Sequence, residues 1–114
     1  MITLDLLLTI NKSICDDSMQ ESVVINKSNL LSALSVQYWY EDKCELASAL
    51  IRSIVVGHGF QDGNKRTAAC AGMYIQDFEC SQDDMIDCIL DIAKGNLRDV
   101  SEIASILYPD SYGV

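Results

Sequence analysis

A near absence of proline is the feature that most constrains the fold of this chain. Pro109 is its single proline, and a proline inside a helix removes a hydrogen bond and clashes with the preceding turn. Long helices can therefore run without a break, and plentiful Leu and Ala favour them. With 114 residues, 49% of them hydrophobic, the chain has the size of one domain around one core. We expect a single all-α domain over residues 1–114.

Apolar residues recur at helical spacing along most of the chain. The pattern predicts a first helix from Thr3 to about Cys15, followed by a loop or small hairpin between Asp16 and Lys27. Five further helices are expected: Ser28–Tyr40 with Ser28 as its cap, Cys44–Val56, one from Gly63–Lys65 to Met73 or Phe78, one capped by Ser81, and one from Asp99 or Ser101 to Pro109.

The predicted helix that begins at Gly63–Lys65 contains a run of small residues. Ala68, Ala69, Ala71 and Gly72 permit close helix packing, so this helix is expected to be central and buried. Cys70 lies in the same run and is expected to be a small buried hydrophobic residue.

The charge of the chain restricts its partners. A net charge of −9 and a pI near 4.2 repel phosphate backbones and anionic lipid head groups, and no apolar run approaches the roughly 18 residues of a membrane span. We expect neither nucleic acid nor membrane as a partner. Five cysteines, without a paired C-x-x-C spacing, indicate free thiols and a cytoplasmic location.

One short run concentrates reactive side chains. Residues 58–66 read H-G-F-Q-D-G-N-K-R and lead into a predicted helix. A turn that enters a helix presents unpaired N–H groups and the positive end of the helix dipole, which hold phosphate oxygens. Lys65 adds a point charge and Arg66 a bidentate fork. We therefore predict a phosphate site at Gly63, Asn64, Lys65 and Arg66.

The other residues of the run suit the chemistry of phosphate transfer. Asp62 is a ready ligand for Mg²⁺ beside bound phosphates. His58 is the only histidine and can accept a hydroxyl proton at neutral pH. Phe60 is expected to anchor the loop in the core, and Asn64 to bond the loop backbone or a phosphate oxygen.

Each of these residues also has an ordinary explanation. A lone histidine often ends a helix, Asp, Gly and Asn are common turn residues, and a Lys-Arg pair is usually solvated. The joint spacing of these residues, and not any one of them, is what indicates a functional site.

This run resembles the loop of the Fic/Doc family, written H-x-F-x-[D/E]-[A/G]-N-[G/K]-[K/R], and fills every defining position. Asn64-Lys65-Arg66 followed by Thr67-Ala68 is similar to the Doc branch, the death-on-curing toxins, in which lysine replaces the glycine of AMP-transferring Fic enzymes. The likeness extends from about Leu30 to Tyr108. Gly59 stands where the family often has proline, and glycine adds backbone freedom.

The resemblance implies a compact Fic/Doc helical bundle that uses ATP and Mg²⁺. It implies a toxin kinase that transfers the γ-phosphate of ATP to a Thr or Ser hydroxyl of a protein, by resemblance elongation factor Tu, and so blocks translation. The catalytic residues would be His58, Asp62, Lys65 and Arg66. A flap that aligns the target would lie at Val23, Val24, Ile25 and Asn26.

The same resemblance implies how such an enzyme is controlled. The inhibitory pattern [S/T]-x-x-x-E-[G/N] of many Fic proteins does not occur in the sequence, so an antitoxin protein is the expected partner, with a tail rich in Lys and Arg that suits the acidic chain. Two alternatives remain open: transfer of AMP or another nucleotidyl group by the same residues, and a catalytically inactive Fic-fold binding protein.

Overall fold

The computed structural model describes residues 1–113, and six α-helices lie in that range. They are α1 (Leu4–Asp17), α2 (Lys27–Ser35), α3 (Lys43–Gly57), α4 (Asn64–Ile75), α5 (Gln82–Lys94) and α6 (Val100–Leu107). A short 3-10 helix, Val36–Tyr38, follows α2. Within residues 1–113 the only β-structure is an isolated bridge between Val24 and Phe60. The expected all-α fold is confirmed.

Helix α3 forms the centre of the fold and packs against α2, α4, α5 and α6. Its contact with α4 is very close, because a Cβ atom on Gly72 would stand 2.4 Å from Cδ1 of Ile51. The predicted close packing of the small-residue helix is confirmed. However, α3 rather than α4 is the most buried helix, since α4 turns one face to solvent.

Cys70 lies on that outer face of α4 and is exposed, so the expectation that it is buried was wrong. The face that meets α3 and α1 is occupied by Thr67, Ala68, Ala71 and Gly72, and the helical period places Cys70 on the other side of the helix. Free thiols are confirmed for all five cysteines.

The second helix begins and ends differently from the prediction. Asn26, rather than Ser28, caps it, and it stops at Ser35 rather than Tyr40. The Gln37 side chain explains the early end: it accepts from Ile2 N at 2.8 Å and donates to Ile2 O and Leu34 O, both at 2.9 Å. This pairing holds the amino end of the chain against the end of α2.

Side chains cap five of the six helices between residues 1 and 113. Thr3, Asn26, Asp42, Ser81 and Asp99 each accept a backbone N–H from the first turn of their helix. The exception is α4, whose N-cap residue is Gly63 and offers no side-chain acceptor.

No helix among residues 1–113 combines the length and the apolar composition that crossing a membrane requires.

Candidate active site

The His58 side chain lies at the junction between α3 and the loop that leads to α4. His58 follows the last residue of α3 and has a left-handed backbone with φ of 47°, a conformation that few residues other than glycine adopt. Its N–H still donates to Ile54 O at 3.3 Å, while the side chain is exposed. The only imidazole of the chain is therefore open to solvent.

The predicted flap segment lies directly beside this loop. Ile25 N and Asn26 N donate to Gly59 O at 2.8 and 3.0 Å, and Gln61 N donates to Val23 O at 2.8 Å. The segment is one extended strand-like piece, so of the two predicted forms it is the loop and not the hairpin. Val24 and Ile25 expose their side chains, by 41% and 55%.

Asn64 holds the loop from the other side. Its Oδ1 accepts from Phe60 N at 3.0 Å, and its Nδ2 donates to Phe60 O at 2.7 Å. The Phe60 ring is fully buried, which ties the middle of the loop to the core. The Asn64 side chain thus bonds the loop backbone, one of the two roles expected for it, and leaves only its backbone N–H for a phosphate.

The same amide fixes the surroundings of the His58 ring. Asn64 Nδ2 lies 3.2 Å from His58 Nδ1, and the bonds to Phe60 determine that the amide nitrogen, not the oxygen, faces the ring. An NH₂ group donates, so Nδ1 accepts and a neutral ring carries its proton on Nε2.

The packing around Gly59 leaves no space for a side chain. A Cβ atom at this position would stand 2.3 Å from Leu30 Cδ2 and 3.1 Å from Asn26 O. The backbone freedom expected of glycine is removed by the hydrogen bonds to Ile25 and Asn26. The same contact explains why a proline, which also carries a Cβ atom, does not fit here.

The amino end of α4 lacks a side-chain cap. Gly63 has φ of 78° and provides no side-chain cap, so the N–H groups of Asn64, Lys65 and Arg66 have no acceptor from a capping side chain. The first turn contains two cations and no acid. Because cations are unfavourable at the positive end of a helix dipole, a bound anion would relieve both the charge and the unpaired donors.

The two cations of this turn are placed differently. Lys65 is exposed and forms no ion pair in the described chain. Arg66 is also exposed, and its guanidinium donates to Ser18 Oγ and, at 3.2 Å, to Gln20 Oε1. Arg66 is therefore bound by two neutral acceptors just after α1, and these bonds would compete with a phosphate for its guanidinium.

Asp62 presents a free carboxylate beside this turn. Its backbone oxygen accepts from Asn11, but its half-buried side chain forms no ion pair in residues 1–113. The structure between Met1 and Gly113 contains no group of three or more His, Cys, Asp or Glu that would hold a metal alone. A lone carboxylate fits Mg²⁺, which is usually bound by one or two carboxylates together with phosphates and water.

Asn11 is fully buried on α1 and is not among the residues predicted for the site. Its amide donates to Asp62 O at 2.9 Å and to Thr67 Oγ1 at 3.1 Å, and it accepts from Ser22 Oγ at 2.6 Å. A signal was present: Asn11 lies four residues after Leu7, on the apolar face of the predicted helix. A polar residue on such a face needs a buried partner.

Comparison with known proteins identifies the region that carries these features. The model of the Fic/DOC family matches residues 2–76, which is more than half of the chain and includes α1, the extended segment, the His58 loop and α4. No curated protein and no solved structure gives a significant match.

Proposed function

The chain belongs to the Fic/DOC family, and from that premise we propose that it transfers the γ-phosphate of ATP to a Thr or Ser hydroxyl of a protein. Family members are typically transferases that modify proteins, and they use ATP-type nucleotides, usually with Mg²⁺. The choice of the γ-phosphate rests on Asn64-Lys65-Arg66, which resembles the Doc toxins rather than the AMP-transferring Fic enzymes.

The observation that carries this proposal is the uncapped start of α4. A helix that begins with an unpaired set of N–H groups and two cations is unfavourable without an anion. It lies six residues from His58, and Asn64 touches both the loop and the imidazole. One side chain thus connects the proposed phosphate site with the proposed proton acceptor.

A ring nitrogen of His58 accepts the proton of the target hydroxyl, whose oxygen then bonds to the γ-phosphorus. The bond from that phosphorus to the bridging oxygen breaks, and ADP leaves with the electron pair. The backbone N–H groups at the start of α4, with Lys65 and Arg66, stabilise the charge on the phosphoryl oxygens. Asp62 would hold Mg²⁺, which neutralises phosphate charge.

The contact with Asn64 places a condition on this mechanism. A base that accepts at Nε2 needs its own proton on Nδ1, but Nδ1 faces the donor Nδ2 of Asn64 at 3.2 Å. Two donors cannot pair. The His58 ring must therefore leave Asn64 before it acts as a base at Nε2, so Asn64 defines the resting position of the ring.

The partners follow from the resemblance and from exposed surface. We propose elongation factor Tu as the target, and an extended piece of the target pairing with the exposed Val24–Ile25 segment, as peptides do along a strand edge. Family members often work in toxin–antitoxin pairs. We propose a protein antitoxin whose tail carries Lys and Arg, because the chain has a net charge of −9.

The proposal is tested with ATP labelled on either the α or the γ phosphate. Purified protein is incubated with Mg²⁺ and a bacterial extract, and in parallel with purified elongation factor Tu. A His58→Ala variant is the control, and circular dichroism checks its fold. Because His58 is exposed, we expect this variant to fold normally.

Label from γ alone, lost in the variant, is the expected result. Label from α would assign nucleotidyl transfer instead. Absence of label from either nucleotide, in the extract and with elongation factor Tu, would overturn both and leave a binding protein with the Fic fold.

A further inference from the structure

A groove of about 940 Å³ opens beside the His58 loop, between α2, the carboxyl end of α3 and the connection from α5 to α6. His58 forms part of its wall. Arg52 from α3, Lys94 from the last turn of α5 and Arg98 from the connection line it as well. The groove therefore joins a reactive imidazole to three cations from two separate parts of the chain.

The charge of this groove is opposite to that of the whole chain. The chain has 17 acidic and 8 basic residues, yet three of the basic ones line the groove, and no Asp or Glu of the described residues does. The one ion pair within residues 1–113 joins Lys12 to Asp16, so none of the three cations is neutralised by a carboxylate. An isolated positive groove in an acidic protein attracts an anion.

The two arginines are held in place by the backbone. Arg52 Nη1 donates to Arg98 O at 3.0 Å, and Arg98 Nε donates to Gly95 O at 3.0 Å. Each guanidinium has five N–H donors, so several remain for a ligand. Donors that are positioned in advance lose less entropy on binding.

This groove is separate from the proposed phosphate site. None of the residues from Asp62 to Arg66 lines it, and it meets the site only at Gly57 and His58. A nucleotide whose phosphates lie at the start of α4 would leave the three groove cations without an anion. The groove thus gives a second ligand access to the imidazole without overlapping the proposed nucleotide site.

We propose that the groove docks an acidic segment of the protein substrate and brings its hydroxyl to His58. The inference rests on the proposed function for the role of His58, and it adds the class of substrate: a Thr or Ser in a segment rich in Asp or Glu. Carboxylates pair with arginine in two-pronged geometry, and the acidic remainder of the surface repels the same segment elsewhere.

Binding is measured without ATP, so that the result does not depend on catalysis. The probes are two fluorescein-labelled peptides of equal length, one with a threonine flanked by glutamates and one with the same threonine flanked by glutamines. Fluorescence anisotropy at low salt gives both dissociation constants. We expect the glutamate peptide to bind about tenfold tighter, as a few partly exposed ion pairs provide, and salt to weaken it.

Matched variants locate the binding. Lys94→Gln removes an exposed cation that forms no ion pair in the described chain, so the fold does not depend on it, and we expect it to weaken the glutamate peptide about threefold. Arg98→Gln is the second variant. Lys43→Gln is the control, because Lys43 begins α3 at the end opposite to Gly57, roughly 20 Å away, and it should change nothing.

The outcomes separate this inference from the proposed function. The docking proposal is overturned if the two peptides bind with equal affinity. It is also overturned if Lys94→Gln and Lys43→Gln lose equal affinity for the glutamate peptide. Loss of affinity for a fluorescent ATP analogue in Lys94→Gln, with no preference for the glutamate peptide, assigns the groove to the nucleotide instead. A preference for the glutamate peptide, without phosphoryl transfer in the labelled-ATP experiment, supports docking in the groove and contradicts the kinase proposal.

Discussion

The side-chain amide of Asn11 donates to the backbone oxygen of Asp62 at 2.9 Å and so joins α1 to the loop before α4 across 51 residues of sequence. The same side chain pairs with Thr67 and Ser22. One buried polar residue, Asn11, therefore contacts three segments of the candidate site. They are the end of the loop, the first turns of α4 and the start of the extended segment.

Replacing Asn11 with leucine should loosen all three segments. The change keeps the side-chain size but leaves Asp62 O and Ser22 Oγ without this partner, which costs about 1–3 kcal/mol of unfolding free energy. Urea denaturation measures the loss, and labelled-phosphate transfer should fall with it. Ser13→Ala, an exposed change on the same helix, should stay within about 0.5 kcal/mol. Equal stability of the two variants would contradict the role given to Asn11.

Gly59→Ala tests the contact between the loop and α2. The new Cβ atom would stand 2.3 Å from Leu30 Cδ2, and overpacking of this kind costs about 1–3 kcal/mol. Gly57→Ala is a close control, since its Cβ would meet Asn29 Cβ at an ordinary 3.4 Å. In the Gly59→Ala, Leu30→Ala double variant the losses should be less than additive. Full additivity in urea denaturation would show that the two side chains do not meet.

Ser18→Ala should strengthen ATP binding. Arg66 donates to Ser18 and Gln20, and these bonds compete with a phosphate for the same guanidinium. Removing one of them should lower the KM for ATP about threefold, the size of a modest net hydrogen bond, with kcat unchanged. Arg66→Gln should raise the KM in either background. An unchanged KM in Ser18→Ala would mean that Arg66 does not meet the nucleotide.

The cysteines should differ widely in reactivity. Burial, with smaller contributions from Cys80 and Asp91, raises the pKa of Cys88 from 9.0 to about 12, so at pH 8 almost no thiolate, the reactive form, is present there. Cys70 is exposed. Iodoacetamide should therefore modify Cys70 first in the native protein and Cys88 only after unfolding, as peptide mass spectrometry would show. Early labelling of Cys88 would contradict the packing of α5.

The raised pKa of Cys88 also predicts an effect of pH on stability. Between pH 9 and about 12 the folded state keeps a proton that the unfolded thiol releases, so the unfolding free energy should fall as pH rises through that window. Cys88→Ala should show a smaller fall in urea denaturation across the same range.

Local sequence patterns predicted the helices and the candidate site because the residues that define each of them are close together in the sequence. Apolar spacing and cap residues determined six helices within a few residues, and the site run from His58 to Arg66 is continuous. Where the prediction failed, a distant partner was the cause: α2 ends early because Gln37 bonds Ile2, and Cys70 is exposed because α3 takes the opposite face of α4.

The sequence by itself thus determined the all-α class, the family resemblance and the residues of the candidate phosphate site. The tertiary structure alone decided that Asn11 supports Asp62 and that Gly59 makes room for Leu30. It also decided that Arg52, Lys94 and Arg98 meet beside His58. The physical reason is that helical periodicity depends on neighbours three or four residues apart, whereas these contacts depend on how finished helices pack, which brings together residues that no short pattern connects.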